Sequence, residues 1–310
     1  TYNQYLTPYV TMPFPHWADD AADVAGLRRE MSLALINGAS LWWFDMWGGY
    51  YQTEVIFDNF RLMSEIWDEY AGKQEKSVAE IAMVIDPDGC YYLHPTDSDR
   101  NAWKNGMQED SFLHGIRDKL NRVGAPYDII SFNDIAEMPD FERYKLVVFC
   151  TPFEIDQRKL EQLNKHVLRD NRHIVWLYAP GISDGSNWVP EQMQKLAGVE
   201  FGTPGVNRVD KESWQSVHVA TPKDLTIDLL KELAAQSGVN IYCEEQTPVY
   251  ANTRLLAVHS AEGGKIRIKL PRPVKTVLEV FSKTVITCDA SGFEYDFPTP
   301  GTCLFDLEAK

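Results

Sequence analysis

"YKLVVFCTPFEIDQRKLEQLNKHVLRDNRHIVWLYAPG", Tyr144 to Gly181, holds the decisive pattern of this chain. Its two ends, "YKLVVFCTP" and "RHIVWLYAPG", are short apolar runs without polar alternation. Strands of that kind are buried on both faces. Between them, "DQRKLEQLNKHVLRDN" repeats apolar residues at helical spacing. Strand, helix and strand over this length form a parallel crossover.

The alternation continues upstream. "VAEIAMVID" reads as a strand, and "EDSFLHGIRDKLNRVGAPYDIIS" as a helix, a glycine stop and a further strand. Residues 75–215 are thus predicted to form an α/β domain, a doubly wound parallel sheet of flavodoxin-like type. Downstream, "RLLAVHSA", "GKIRIKLP", "KTVLEVFS", "TVITCD", "FEYDFP" and "TCLFDLE" are short strands separated by Gly, Pro and Ser. They predict a small antiparallel β-sandwich, with "TPKDLTIDLLKELAAQSGV" as a helix leading into it, over 216–310.

Residues 1–74 are different. "DDAADVAGLRREMSLALING" is a helix ending at Asn37-Gly38, "ASLWWFDMW" reads as a buried strand, and "EVIFDNFRLMSEIWDEYAG" is a second helix. This is one βα unit, the end of a (β/α) barrel, and it is too little to fold alone. A lone strand leaves both edges and faces open. Its apolar surfaces are expected to pack on the flavodoxin-like domain.

The bulk numbers narrow the function. The chain has 310 residues, enough for two or three domains of ~100–150 residues each. Its net charge of −15 opposes nucleic acid and anionic membranes, whose phosphates call for Lys and Arg. Nine Trp and fourteen Tyr suit sugar binding, where rings stack on pyranose C–H faces. Cys90, Cys150, Cys243, Cys288 and Cys303 are scattered without a C-x-x-C, so neither a zinc site nor a disulfide framework is indicated. No apolar run reaches the length of a transmembrane helix. The opening "TYNQYLTPYVTMPFPHW" lacks a Met and a leader, which reads as a cut inside a larger protein or a processed chain and leaves the compartment unread.

The densest candidate site is "LWWFDMWGGYY", Leu41 to Tyr51. Asp45 stands near the carboxyl end of the predicted strand, where (β/α) barrels keep functional groups. Alternation puts Trp43, Asp45 and Trp47 on one face, with Trp42 and Phe44 on the other. Trp43, Trp47, Tyr50 and Tyr51 are expected to stack on a sugar while Asp45 accepts from its hydroxyls. Glu54 suits the N-terminus of a helix better. No spacing supports pairing Asp45 with Glu54, Asp19 or Asp20 as the two carboxylates of a glycosidase.

Other motifs are weaker. Cys150 ends a strand as a nucleophile would, but Thr151-Pro152 follow it in place of a glycine-flanked elbow. "DPDGCYYLHPTDSD", Asp86 to Asp99, stands where a nucleotide loop would and has neither G-x-G-x-x-G nor G-x-x-x-x-G-K-[ST]. It reads as a surface loop. His94, His114, His166, His173, His218 and His259 have no metal-ligand spacing. No cofactor is indicated.

The order of the zones resembles the family 42 β-galactosidases. The stretches that carry the likeness are "LALINGASLWWFDMWGGYY", similar to a last barrel strand entering a sugar pocket, "YKLVVFCTPFEIDQRKLEQLNKHV" and "GVNIYCEEQTPVYANTRLLAVHSAEGGKIRIKLP". In that family a (β/α)8 catalytic barrel precedes an amidotransferase-like trimerisation domain and a short β domain. The resemblance implies the C-terminal part of a retaining glycosidase, a homo-oligomer for which a trimer is one arrangement, with carbohydrate as partner. The family's catalytic glutamates would precede Thr1, so no residue here inherits them, and the chain would be inactive alone. Two other readings stand beside it: a freestanding sugar-binding module, and an amidotransferase-like enzyme using Cys150.

Overall fold

The computed structural model describes residues 20–43, 53–73, 75–93 and 111–308. The chain divides into two compact units. One contains residues 1–78, 124–126 and 241–310, and the other residues 79–123 and 127–240. Two helices begin the described part, α1 (Asp20–Ile36) and α2 (Glu54–Tyr70). Residues 39–43 are not in a strand, and 44–52 lie outside the described residues.

The second unit is a six-stranded sheet. Its strands are β1 (Ile81–Ile85), β2 (Tyr127–Ser131), β3 (Leu146–Phe149), β4 (His173–Leu177), β5 (Val206–Asp210) and β6 (Gln215–Val219). They lie in the order β2-β1-β3-β4-β6-β5. All neighbours are parallel except β5, which pairs antiparallel with β6 at one edge. The helices α3 (His114–Leu120), α4 (Gln157–Gln162) and α5 (Pro190–Ala197) lie between strands, and α6 (Ile227–Gln236) follows β6. Asp156 and Thr226 cap α4 and α6 through bonds from Lys159 N (2.7 Å) and Leu229 N (3.1 Å). The helix predicted after β3 is shorter than its apolar repeat suggests, because a π-helical turn takes over at Leu163–Val167.

Rings fill the centre of this unit. Phe149 stacks on the fully buried Trp176 at 4.6 Å, and Trp214 meets Trp176 edge-on at 6.4 Å. The unit runs on to Asn240, beyond the boundary expected at 215. The reason is the sheet itself: β6 is the parallel neighbour of β4, and α6 buries Leu230, Leu233 and Ala234. The helix expected to lead into the β domain therefore belongs to the parallel unit.

The first unit holds an antiparallel sheet of β7 (Val249–Ala251), β8 (Leu255–Ser260), β9 (Gly264–Glu279), β10 (Thr284–Phe297) and β11 (Gly301–Asp306), in the order β10-β9-β11-β8-β7. Among the described residues this is one sheet, not the two packed sheets of a sandwich. The β9–β10 hairpin changes register between Lys269 and Val274, opposite Gly292 and Ala290. Pro271 and Pro273 fall in that break, where a missing N–H costs no ladder bond.

Both faces of this sheet are covered. Leu256, Val258, Ile268, Val277, Phe293 and Phe305 make one core, and Leu255, Ala257 and Leu304 meet Leu27, Met31, Ile56, Met63 and Ile66 of α1 and α2 on the other face. The apolar faces of residues 20–73, expected against the parallel domain, are thus buried by the antiparallel sheet. Polar ties fix the helices there. Tyr70, the last residue of α2, donates to Asp306 Oδ2 at 3.0 Å, and Arg254 grips both Asp306 oxygens at 3.0 and 2.6 Å. Burial alone would raise the Asp306 pKa, but bonds from Arg254, the Glu308 N–H and Tyr70 hold it below the ordinary carboxylate range.

His259 is a second tie. Thr302 donates to Ala25 O of α1 at 2.6 Å, so its oxygen accepts from His259 Nδ1 at 2.7 Å. Burial, and after it the charge of Arg29, pushes the imidazole pKa down to about 3. The native state then binds no proton where the unfolded chain, with a pKa near ~6.5, does. Stability from this group is complete above that value and falls as pH drops towards 3, by roughly 2 kcal/mol at pH 5. Urea unfolding at pH 7 and pH 5 checks this: His259→Gln is expected to flatten the loss between the two, and an unchanged slope refutes the assignment.

Candidate functional site

Of the aromatic stretch expected to meet a sugar, Trp43 lies within the described residues, while Asp45, Trp47, Tyr50 and Tyr51 lie outside them. Trp43 is half-buried and packs against the α1–α2 cluster, its ring 5.8 Å from that of Phe60. Trp42 is 66% exposed. That is the reverse of the alternation read from the sequence, because residues 39–43 are not extended in a sheet and period two does not apply. Glu54 is the first residue of α2, behind the Thr53 cap, and stands 3.8 Å from Arg61.

A second candidate arises where the parallel sheet changes direction. β2 lies on one side of β1 and β3 on the other, so the crevice beyond the carboxyl ends of β1 and β3 is the switch point, the usual ligand site of such sheets. Here the protein fills it. Asp86 follows β1, and Lys159 of α4 places its ammonium 2.8 and 2.9 Å from the two Asp86 oxygens. The same ammonium is 2.9 Å from Asp88 and donates to Glu154 O at 3.2 Å. Both Lys159 and Asp86 side chains are 1% exposed. Burial raises the Asp86 pKa against the pull of Lys159. Burial would lower that of Lys159, but bonds to Asp86 and Asp88 raise it, so the ammonium stays charged.

The backbone closes the rest. A Cβ on Gly89 would stand 1.7 Å from Thr151 O, so only glycine allows this approach. Thr151 Oγ1 accepts from Asp86 N at 3.1 Å and donates to Asp86 O at 3.0 Å, which sews the ends of the two strands together. On the rim, Tyr92 donates to Glu154 Oε2 at 2.6 Å.

Cys150 lies beneath this surface, fully buried, its Sγ 3.9 Å from Val148 O, and burial pushes the thiol up. A nucleophile must be an accessible thiolate. Cys150 is neither, so the amidotransferase-like reading loses its residue. The histidines serve locally as well. His218 Nε2 donates to Tyr178 O at 2.7 Å, and burial keeps His173 and His218 below the ordinary imidazole pKa. His94 lies outside the described residues. Among the described residues, no group of three His, Cys, Asp or Glu side chains could hold a metal ion, and no helix is long and apolar enough to cross a membrane.

Two sheets of this kind in one chain have counterparts. Over most of its length the chain superposes on the β-galactosidase of Bacillus circulans sp. alkalophilus, with a TM-score of 0.61, 14% identity, and coverage of 84% of this chain and 46% of that one. In fold, the chain resembles the GH42 β-galactosidases. Gan42B, a GH42 β-galactosidase of G. stearothermophilus, matches with a TM-score of 0.53 and 13% identity, covering 86% of this chain and 45% of its own. The β-galactosidase of the psychrophilic Marinomonas ef1 gives 0.57 and 12%, covering 93% and 50%. The chain therefore spans about half the length of these GH42-like structures, and at such identities the likeness is one of fold. No protein-family model and no curated protein matches the sequence.

The plugged switch point was within reach of the sequence. Lys159 falls on the same helical stripe as Leu163 and Val167, at intervals of four, where an apolar residue belongs. A lysine there needs a buried anion, and Asp86 supplies it from a distant strand. Removing one partner strands the other charge. Lys159→Met is expected to cost about 3–5 kcal/mol, whereas Lys159→Met with Asp86→Leu recovers most of it. Thermal or urea unfolding of the two variants checks this, and equal losses in both would contradict it.

Proposed function

We propose that this chain is the C-terminal portion of a β-galactosidase-like glycoside hydrolase, supplying one wall of the sugar pocket and a domain for assembly. The observation that carries the reading is the match of both sheets at once, over 84–93% of the chain, to enzymes of one hydrolase family. On this reading the parallel sheet is the flavodoxin-like, trimerisation-type domain, consistent with its order β2-β1-β3-β4-β6. The closed switch point and the buried Cys150 support an assembly role, since they remove the usual places for catalysis from that domain. The stretch ending in α2 is the last βα part of a (β/α)8 barrel.

The glutamates that act as acid/base and nucleophile in retaining glycosidases then belong to another part of the longer polypeptide. This chain alone is inactive. Trp43, Asp45, Trp47, Tyr50 and Tyr51 line the pocket, with Asp45 taking hydrogen bonds from sugar hydroxyls. Trp43 contributes from its seat against Phe60, as a ring that fixes the wall more than one that stacks freely.

Hydrolysis of a panel of aryl glycosides by this chain, and by the longer polypeptide that includes the preceding barrel, tests the reading. Activity is expected in the longer form only. Asp45→Asn in that form is expected to lower kcat/KM by about 10- to 100-fold, the loss of a charged hydrogen bond of about 1.5–3 kcal/mol. Turnover by this chain alone would overturn the proposal.

A further inference from the structure

The rim of the parallel sheet carries exposed rings. Tyr178, Trp188 and Phe201 come from three separate segments and are 46%, 61% and 42% exposed. They adjoin one another edge to face. Trp188 and Phe201 centroids are 5.2 Å apart, and those of Phe201 and Tyr178 are 5.8 Å apart. Phe153, which is buried, backs Tyr178 at 6.0 Å. Single exposed aromatics are ordinary, but three in contact form a patch that calls for a partner.

The backbone is arranged to present them. Tyr178 directly follows β4 with φ +61°, a left-handed conformation unfavourable for a bulky side chain. It is held there from both sides, since its N–H donates to Val219 O at 2.9 Å and its carbonyl accepts from His218. Trp188 is fixed just as firmly. Ser183 and Trp188 form a β-bridge, Val189 N donates to Ile182 O at 2.8 Å, and Asp184 accepts from Ser186 N and Asn187 N at 2.8 and 2.7 Å. Segments fixed in this way have met part of their ordering entropy before any ligand arrives.

We propose that Tyr178, Phe201 and Trp188 form a stacking ledge for a neutral glycan chain, a second sugar site on the parallel unit. The ledge itself stands on its own geometry; only its ligand class rests on the carbohydrate reading above. Glu154 accepts from Tyr92 and Asp184 from its own turn, and Glu200, the exposed neighbour of Phe201, adds a negative charge that repels an anion; the rings themselves offer apolar faces. The chain's charge of −15 further disfavours an anion. Adjoining rings suit a run of sugar units better than a single one, and an extended chain lying across the rim has no need of the closed crevice.

Affinity electrophoresis of the whole chain through gels containing soluble galactan, mannan or xylan tests this, with circular dichroism to confirm that each variant is folded. Retardation by at least one glycan is expected. Trp188→Ala or Phe201→Ala should weaken it by about 10-fold, as removal of an anchor ring does, and Val285→Ala, at an exposed apolar residue of the antiparallel sheet, should leave it intact. Retardation lost in Trp47→Ala but unchanged in the ledge variants would overturn the ledge and leave the hydrolase reading standing. No retardation by any of the three overturns it as well, while the hydrolysis assays decide the enzyme question separately. Ring-dependent binding of a polylysine peptide in place of a glycan would assign the ledge to a cationic partner and refute the sugar.

Discussion

Leu255 and Leu256 are neighbours in β8, point to opposite faces of the sheet, and are both buried. An antiparallel strand with one wet face could not read that way. Every feature of the first unit answers this demand. The long β9–β10 hairpin breaks its register at Pro271–Pro273, and its apolar residues join the core on one face. α1 and α2 supply the other. The helices read as the tail of a barrel are therefore also the second layer of the β unit, and Tyr70, Asn252 and Thr302 lock them in place through side-chain hydrogen bonds to the sheet or from it.

Much of this was legible. The runs "IAMVI", "LVVF" and "HIVWL" are buried on both faces of a parallel sheet and announce it by carrying no polar residue in their centres. β5 and β6 hid because "VNRVD" alternates at an exposed edge and "QSVHV" carries Ser216 and His218 inward, where Ser216 donates to Ala197 O at 2.9 Å and His218 to Tyr178 O. Local hydrogen bonds made polar residues acceptable in a core strand, and no period reports that. The boundary at 215 failed for this reason. The pairing of α1 and α2 with the antiparallel sheet was equally out of reach, since an apolar helix face states that it must be covered and never by what.

The site was less legible than the fold. Period two put Trp43 outward and Trp42 inward, and the structure reverses them, because the rule needs a strand and residues 39–43 are not one. Tyr178, Trp188 and Phe201 sit 10 and 13 residues apart in sequence with nothing repeated between them. Only the fold at the carboxyl end of β4 brings them together. The acid loop "DPDG", read from the sequence as a surface loop, is inverted in the structure: Asp86 turns inward and, with Asp88, holds the protein's own lysine.

That inversion bears on what the parallel unit can be for. A doubly wound sheet concentrates its binding capacity at the switch point, where loops from diverging strands leave a crevice. Here a buried ammonium, two aspartates and the contact of Gly89 with Thr151 occupy that space, and a fully paired buried charge strongly resists being displaced by a ligand. Binding at this end of the sheet is then confined to the rim. On the rim Tyr178, Trp188 and Phe201 are held away from the core, and Glu154 and Asp184 are tied to neighbouring donors. Ring faces of this kind would select ligands by shape and C–H contact, as the proposed recognition of a neutral glycan requires.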